Sequence, residues 1–119
     1  MRVMPLVFVT DVDTAADFFR LLDLDLDVRG RAGGWAELVG SGGLVGLHTA
    51  TATDSPARPG SCALGFVTDG PLEPIWDRLV AHGYADAHII DEGFGRSLRV
   101  TGPDAMEIQI NEHDQELYA

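Results

Sequence analysis

Cysteine is nearly absent from the 119-residue chain, and long apolar runs are missing. Cys62 is the only cysteine, so an intrachain disulfide is excluded. No stretch reaches the roughly 18 apolar residues typical of a membrane-spanning helix. The first residues read as a strand and lack the apolar core and small-residue cleavage site of a secretory signal. We therefore expect a cytoplasmic protein without a membrane span.

Basic residues are also scarce. Eight Lys and Arg stand against 19 Asp and Glu, which gives a formal net charge of −11 at pH 7. Nucleic acids and anionic membranes attract basic surfaces, so neither is an expected partner. The charge favours solubility and is compatible with a neutral or cationic small molecule. Apolar residues at 45% and charged residues at 23% are typical of a globular protein.

A four-residue segment occurs twice, about half a chain length apart. Phe-Val-Thr-Asp stands at residues 8–11 and again at residues 66–69. The flanking apolar residues repeat at the same offset: Leu6 and Leu64, Phe18 and Trp76, Leu21 and Leu79. Because the pattern spans a strand and the helix after it, the sequence predicts two copies of one module.

Each half reads as one strand, one helix and three further strands, a βαβββ order within an α+β fold. In the first half we predict a helix over 13–22, capped by Asp11 or Asp13, and strands over 3–10, 25–29, 34–39 and 43–49. In the second half we predict a helix between Pro71 and Gly83, and strands over 62–68, 86–90, 95–101 and 105–111. The predicted boundaries are a first module at 1–52, a linker with two prolines at 53–60, a second module at 61–112 and a polar tail at 113–119.

Three features carry a resemblance to a known family. They are the Val-Thr-Asp ending of each first strand, the helix that follows, and the stretch Gly95-Arg-Ser-Leu-Arg-Val-Thr-Gly-Pro-Asp104 before the last strand. In order and spacing the chain resembles the vicinal oxygen chelate superfamily, which includes glyoxalase I, extradiol dioxygenases and bleomycin resistance proteins. Gly102 and Ala105 depart from the family's Asp-Pro-Asp-Gly turn. The resemblance implies two concave sheets around a cleft, helices on the convex side, and a homodimer, but it does not fix the function.

The resemblance also implies where a metal would bind. Catalytic members hold a divalent metal through His, Glu or Gln side chains early in each first strand and within each last strand. Those positions fall on Met4, Cys62, Gln109 and, in the first half, either Gly46 or His48. A thioether and a lone thiol are poor ligands for Mg, Mn or Fe(II). We therefore predict neither a metal nor another cofactor.

Aromatic and polar side chains are then the remaining candidates. In the last predicted strand, alternation places Glu107 and Gln109 toward the cleft. Trp35 and Glu37 face the cleft if Ala36 and Leu38 face the helix, and an exposed indole would stack on a flat ligand. Alternatively, Trp35 belongs to the core.

Further assignments follow from position along the chain. Phe8 and Phe66 each lie an even number of residues after the first-strand metal positions, Met4 and Cys62, so they share a strand face with them and are expected in the cleft. Phe94 lies in a glycine-flanked loop, as a lid or an anchor, and Arg96 pairs with an anionic ligand group, with Glu37, or with another surface acid. Trp76 is expected in the core. The histidines expected at the surface are His82, His88 and His113.

We therefore predict a metal-independent protein, similar to the bleomycin resistance branch, that sequesters a small natural product or antibiotic and so confers resistance. No catalytic residue is predicted. The predicted ligand-binding residues are Trp35, Glu37, Phe8, Phe66, Phe94, His48, Glu107, Gln109, Cys62 and Met4. One alternative is a glyoxalase-like lyase, isomerase or dioxygenase with a reduced metal site of His48, Gln109 and Glu107, or with Glu107 as a metal-free general base. Another is an interaction domain with a vestigial cleft.

Overall fold

The computed structural model describes residues 1–51 and 57–114. These residues contain nine strands and two α-helices. In the first half they are β1 (Arg2–Val3), β2 (Leu6–Val9), α1 (Val12–Arg20), β3 (Asp25–Arg29), β4 (Trp35–Gly40) and β5 (Gly43–Thr49). In the second half they are β6 (Cys62–Val67), α2 (Glu73–Ala81), β7 (His88–Glu92), β8 (Gly95–Thr101) and β9 (Glu107–His113). A single 3-10 turn at Pro103–Ala105 precedes β9.

One mixed sheet contains all the described strands in the order β3-β4-β5-β2-β6-β9-β8-β7, with β1 beside β6. In the first half β2 pairs in parallel with β5, and in the second half β6 pairs in parallel with β9. The remaining pairs are antiparallel. The halves join where β2 pairs antiparallel with β6. The predicted α+β fold of βαβββ order is confirmed, and the predicted bounds of β3, β5 and β8 are those observed.

The predicted first strand is interrupted at Met4 and Pro5. Proline has no N–H to give to a ladder, so a strand breaks or shifts where it occurs. The Met4 N–H donates to the Gly65 carbonyl at 2.8 Å, and its side chain is fully buried. The break turns Met4 into the core between the two halves.

Helix α1 begins as its cap predicts but ends earlier. The Asp11 carboxylate accepts the Thr14 N–H at 3.0 Å, which satisfies one free donor of the first turn. Val12 and Ala16 are buried against β4 and β5. The helix ends at Arg20 rather than at residue 22, and three apolar residues of the predicted helix are exposed: Phe18, Leu21 and Leu22.

Helix α2 presents a different face from the one predicted. Ile75 and Leu79, four residues apart, pack against the outer side of the second half. Trp76 therefore lies at the side of the helix, partly exposed, with its indole N–H donating to the Ala87 carbonyl at 2.8 Å. The prediction that Trp76 belongs to the core was wrong.

The sheet has an inner face, which holds the core between the two halves, and an outer face, which the helices cover. In β6 the residues on the inner face are Ala63, Gly65 and Val67, so Phe66 packs with the α2 cluster instead. A Cβ on Gly65 would lie 2.7 Å from the Met4 carbonyl oxygen, so only glycine fits there. This close approach fixes which residues of β6 face inward. Placing Phe66 in the cleft was therefore wrong, and Cys62, with the same parity, is exposed on the other side of the strand.

Two predicted segments fall partly outside the described residues. These are 53–56 of the predicted linker and 115–119 of the predicted tail. His113 ends β9 rather than beginning a tail, because the strand runs two residues farther than predicted. The module boundaries stay a prediction. Among residues 1–51 and 57–114, no helix has the length and apolar character needed to cross a bilayer.

An arginine on the outer face ties α2 to the hairpin of β8 and β9. Arg96 donates to both carboxylate oxygens of Glu112, at 3.0 and 2.9 Å, and to Glu73 at 2.7 Å. Glu112 also accepts the Leu72 N–H at 3.0 Å, just before α2. The two carboxylates raise the pKa of Arg96, and Arg96 lowers the pKa of Glu73. Of the predicted partners, Arg96 thus pairs with other acids of the chain rather than with Glu37 or a ligand group in the cleft.

Arg96→Gln should lower the urea midpoint at pH 7, because it leaves Glu73 and Glu112 without their cation. The folded pKa of Glu73 lies below its ordinary 4.5, so this pairing stabilises the fold above that pH and is lost as the pH falls through the folded value. The difference between wild type and variant should therefore shrink below about pH 4.5. Urea titrations followed by circular dichroism at pH 7, 5 and 3 measure it. A stability difference between wild type and Arg96→Gln that does not change with pH would contradict the role of the Arg96–Glu73 ion pair. Arg78→Gln, on the exposed side of α2, is the control.

Candidate functional site

A cavity of about 240 Å³ opens on the inner face where β2 meets the second half. Its apolar lining comes from Phe8, Ala63, Val100 and Ile108. Its polar lining comes from Asp86, His88, Arg99, Thr101, Glu107 and Gln109. Phe8 comes from the first half and the other nine lining residues from the second, so the ring of Phe8 completes the wall where the two modules meet. An apolar wall with a few convergent polar groups is the usual form of a small-molecule site.

The charge around the cavity is mainly negative. Asp86 accepts the Thr101 N–H at 3.0 Å. Hydrogen bonding with the Thr101 side chain, and to a smaller extent with this N–H, lowers the pKa of Asp86. Glu107 is exposed at the edge. Arg99 forms an ion pair with Glu92, so its charge is already offset. The two remaining carboxylates favour a ligand that presents a cation or an N–H group.

Gln109 is the innermost polar group of the lining. It is only 8% exposed, and its amide nitrogen donates to the Asn111 side-chain oxygen at 2.9 Å. On the opposite wall the Phe8 ring lies 5.7 Å, centroid to centroid, from the His48 ring. Alternation along β9 predicts the inward direction of Gln109, and the structure agrees.

Trp35 and Phe94 do not form the predicted platform and lid. The Trp35 ring is 2% exposed and Phe94 is 1% exposed. Their centroids lie 4.4 Å apart, and both pack into the cluster that contains Met4 and Leu6. The sheet curves enough to bring β4 against the turn between β7 and β8, and these two rings fill the space. The stacking role of Trp35 and the lid role of Phe94 were wrong, as was the ligand contact of Met4.

Glu37 is buried in the same region and is already engaged. It is 1% exposed, and its Oε2 accepts the Trp35 indole N–H at 2.9 Å and His113 Nε2 at 2.5 Å. The His113 side chain therefore lies on the inner face of the sheet. The prediction that His113 is a surface residue was wrong. The alternation of Glu107, Gln109 and Asn111, extended by one step, would have placed it there. Glu37 joins the two halves and does not face a ligand.

His48 lies behind Phe8 rather than in the cavity wall. It is 9% exposed, and its ring is 5.9 Å from that of Trp35. Its Nδ1–H donates to the Thr49 carbonyl at 2.8 Å. This ring supports Phe8 from within the core.

The residues at the family's metal positions do not fit a divalent metal. Met4 is fully buried among apolar groups, and a Cβ at Gly46 would lie 3.0 Å from the Trp35 ring and 2.9 Å from Leu6. Cys62 belongs to the opposite face of its strand from Gly65, and Gln109 offers one neutral amide. Within the two described stretches, no three His, Cys, Asp or Glu side chains come close enough to hold a metal ion.

The cavity thus keeps three of the ten predicted binding residues, Phe8, Glu107 and Gln109, whose role stays a prediction. The residues that the sequence reading missed are Asp86, Arg99 and Thr101, along with His88, which it treated as a surface residue. His88 is exposed at the cavity edge. The predicted strands 95–101 and 105–111, paired end to end, would place Arg99 opposite Glu107, whereas in the structure it lies opposite Gln109. Both pairings put Arg99 on the cavity side, and this signal was available in the sequence.

Comparisons with known proteins bear on the fold. No family model matches the chain, and no curated protein matches it. Among solved structures, a glyoxalase/bleomycin resistance protein/dioxygenase superfamily member from Vibrio splendidus 12B01 aligns at a TM-score of 0.58 and 18% identity, over 92% of this chain and 96% of that one. An NAD-dependent benzaldehyde dehydrogenase from Legionella pneumophila aligns at 0.60 and 21%, over 91% and 96%.

An uncharacterized protein from Methanosarcina mazei aligns at a TM-score of 0.55 and 21% identity, over 97% of this chain and 94% of that one. At these identities the likeness concerns the fold. The chain has the fold of the vicinal oxygen chelate superfamily, and the predicted resemblance is confirmed at that level.

Proposed function

We propose that this protein binds a small natural product or antibiotic non-covalently, without a metal, in the cavity beside Phe8, and sequesters it. The observation that carries the proposal is a cavity walled by both halves, with an apolar side and a carboxylate edge. Burial of the ligand's reactive part would give protection. The cavity of about 240 Å³ is below the usual size for drug-sized ligands. It suits a compact compound or one group of a larger one.

The donor set argues for binding over metal-dependent catalysis. The glyoxalase-like alternative needs two or three hard ligands at one point. The family's positions offer a thioether, either a glycine or the imidazole of His48, and an amide, and His48 lies behind Phe8 rather than in the cavity wall. Glu107 as a metal-free general base is compatible with the same cavity. Recovery of the compound unchanged after incubation separates sequestration from that reaction.

Binding should survive chelation. We expect chelator-treated protein to be stabilised by planar amines and amides that fit the cavity, tested beside bleomycin-type and mitomycin-type compounds. A ligand at 100 times its Kd raises the unfolding free energy by about 2.7 kcal/mol. Differential scanning fluorimetry reads this as an increase in Tm. Stabilisation only after Mn, Fe(II) or Zn is added would contradict the proposal and favour the enzyme.

Two variants locate the site in the same assay. Phe8→Leu keeps the apolar character but removes the ring that forms the wall, and Glu107→Gln removes an edge charge. Each should reduce the Tm increase caused by a cationic ligand. Asp77→Asn, an exposed acid on α2, is the matched control and should leave it unchanged. Equal losses in all three variants would indicate a general charge effect rather than this cavity.

We also propose the homodimer that the resemblance implies. An apolar groove lined by Val3, Pro5, Leu22 and Leu44 supports this proposal, since Val3 and Leu22 are exposed. Sedimentation velocity should give a dimer for the wild type and a monomer for Leu22→Asp. A wild-type monomer at about 100 µM, where a standard protein interface would be saturated, would remove the proposal.

A further inference from the structure

Within residues 1–51 and 57–114, three buried side-chain atoms have no hydrogen-bond partner, and all three lie on one hairpin. They are Ser97 Oγ and Arg99 Nε on β8, and Asn111 Nδ2 on β9. Ser97 pairs with Asn111, and Arg99 pairs with Gln109, so the three residues are neighbours on the inner face. Arg99 and Gln109 also line the cavity. The unsatisfied atoms are therefore concentrated directly behind the proposed site.

Such a cluster is unusual, because folded proteins pair nearly all buried polar groups. Ser97 and Asn111 are fully buried. The free atoms on Arg99 and Asn111 are donors, and the Ser97 hydroxyl can also donate. None of the three atoms has a partner within hydrogen-bond distance among the described residues. Asn111 Oδ1 already takes the Gln109 amide, and Glu92 takes the other end of Arg99. What this place lacks is an acceptor oxygen within reach of these donors.

The charge around the cavity decides which kind of oxygen fits. An anionic group would face Asp86 and Glu107, while the charge of Arg99 is offset by Glu92. A neutral carbonyl oxygen meets the donors without that repulsion. The same two carboxylates favour an amine or N–H group at the outer end of the ligand.

We propose that the ligand presents a carbonyl oxygen, as in an amide, ketone or quinone, to the Arg99, Asn111 and Ser97 donors, and an amine or N–H group to Glu107 and Asp86. This rests on the proposed binding function. The Gln109 amide lies between the cavity and Asn111, since it lines the first and donates to the second. Arg99 Nε, Asn111 and Ser97 are buried behind this amide, so the Gln109 side chain must rotate away from Asn111 for the ligand's oxygen to reach them.

The test uses four probes that share one benzene ring: 4-(aminomethyl)benzamide, benzylamine, benzamide and benzoate. Titrations of the ¹⁵N-labelled chain are followed by NMR. We expect 4-(aminomethyl)benzamide to bind about two- to tenfold more tightly than benzylamine, the range for one added hydrogen bond. We expect benzoate to bind weakest. The Asn111 side-chain amide and Arg99 Nε–H signals should shift with the two amides and not with benzylamine.

Two variants test the donors. Ser97→Ala removes a hydroxyl that has no partner, so it should leave the Tm of the free protein unchanged or higher while reducing the advantage of the amide probe. Arg99→Lys keeps the charge opposite Glu92 but lacks the Nε–H, and it should reduce the same advantage. Benzylamine, which has no carbonyl, should lose less affinity than the amide probe in both variants. Ser41→Ala, in an exposed turn, is the control.

The outcomes separate this inference from the function on which it rests. Equal binding of benzylamine and the amide probe in the cavity, with Asn111 unaffected, overturns the carbonyl assignment and leaves the binding function standing. Tightest binding of benzoate also overturns it, in favour of an anionic ligand. Absence of any shift at cavity residues with all four probes overturns both.

Discussion

Trp35→Ala should lower the free energy of unfolding by about 3–5 kcal/mol, the usual cost of deleting a large buried aromatic side chain. The ring is almost completely buried between Phe94 and His48. The substitution leaves a cavity at the join between the two halves. It also removes the indole N–H from Glu37, so a buried carboxylate loses a donor. The loss is a large part of the stability of a domain of this size.

Urea unfolding followed by circular dichroism measures this effect, with Trp76→Ala as the matched control. Trp76 is partly exposed and should cost clearly less, about 1–2 kcal/mol. If Trp35→Ala does not fold, Trp35→Phe keeps most of the ring and removes only the donor to Glu37. That variant should cost about 1–3 kcal/mol. A Trp35→Ala variant as stable as wild type would contradict the buried position of Trp35 and would indicate that its indole lies in an open cleft.

Gly95→Ala should be comparably severe, about 3–5 kcal/mol from backbone strain and overpacking together. Gly95 has a φ of 140°, a conformation that residues with a side chain rarely adopt. A Cβ there would lie 2.2 Å from the Glu112 carbonyl oxygen and 2.7 Å from the Asp114 nitrogen, both backbone atoms. The hairpin of β8 and β9 would have to open at the end that holds Phe94.

Gly42→Ala is the control for this second prediction. Gly42 lies in the turn between β4 and β5, and a Cβ there meets nothing within 4 Å. It should change stability by less than about 0.5 kcal/mol. Thermal and urea unfolding of both variants give the comparison. Similar stability of the two would mean that the backbone at Gly95 relaxes freely and does not fix the Phe94 turn.

The sequence predicted the local features well because they depend on short-range patterns. The Asp11 cap, the alternation of Glu107 and Gln109 in β9, and the bounds of β3 and β8 follow from a few consecutive residues. The βαβββ order followed from the repeat. These features place three of the ten predicted binding residues in the cavity wall.

The faces of the second half could not be read from the repeat. The Phe-Val-Thr-Asp segments align in sequence, but the second helix begins at Glu73, farther from its segment than Val12 is from the first. The close approach of Gly65 to Met4 sets which residues of β6 face inward. Phe8 and Phe66 therefore occupy opposite faces despite their matching positions.

The closed interior depends on contacts between distant residues. Glu37 and His113 are 76 residues apart in sequence, and the Trp35 and Phe94 rings come from different halves. No local pattern predicts such contacts. They moved the candidate site away from Trp35, to the cavity where Phe8 faces β8 and β9.

The most direct test of this account locates a bound compound by NMR, using the one that raises the Tm most in the chelator-treated panel. We expect shifts in the Gln109 side-chain amide and in backbone signals of Phe8, Arg99 and Glu107, with the Trp35 indole N–H unchanged. Saturable shifts confined to those residues would support binding in the cavity between the halves. Shifts centred on the Trp35 indole, or on the outer face around Trp76, would contradict it.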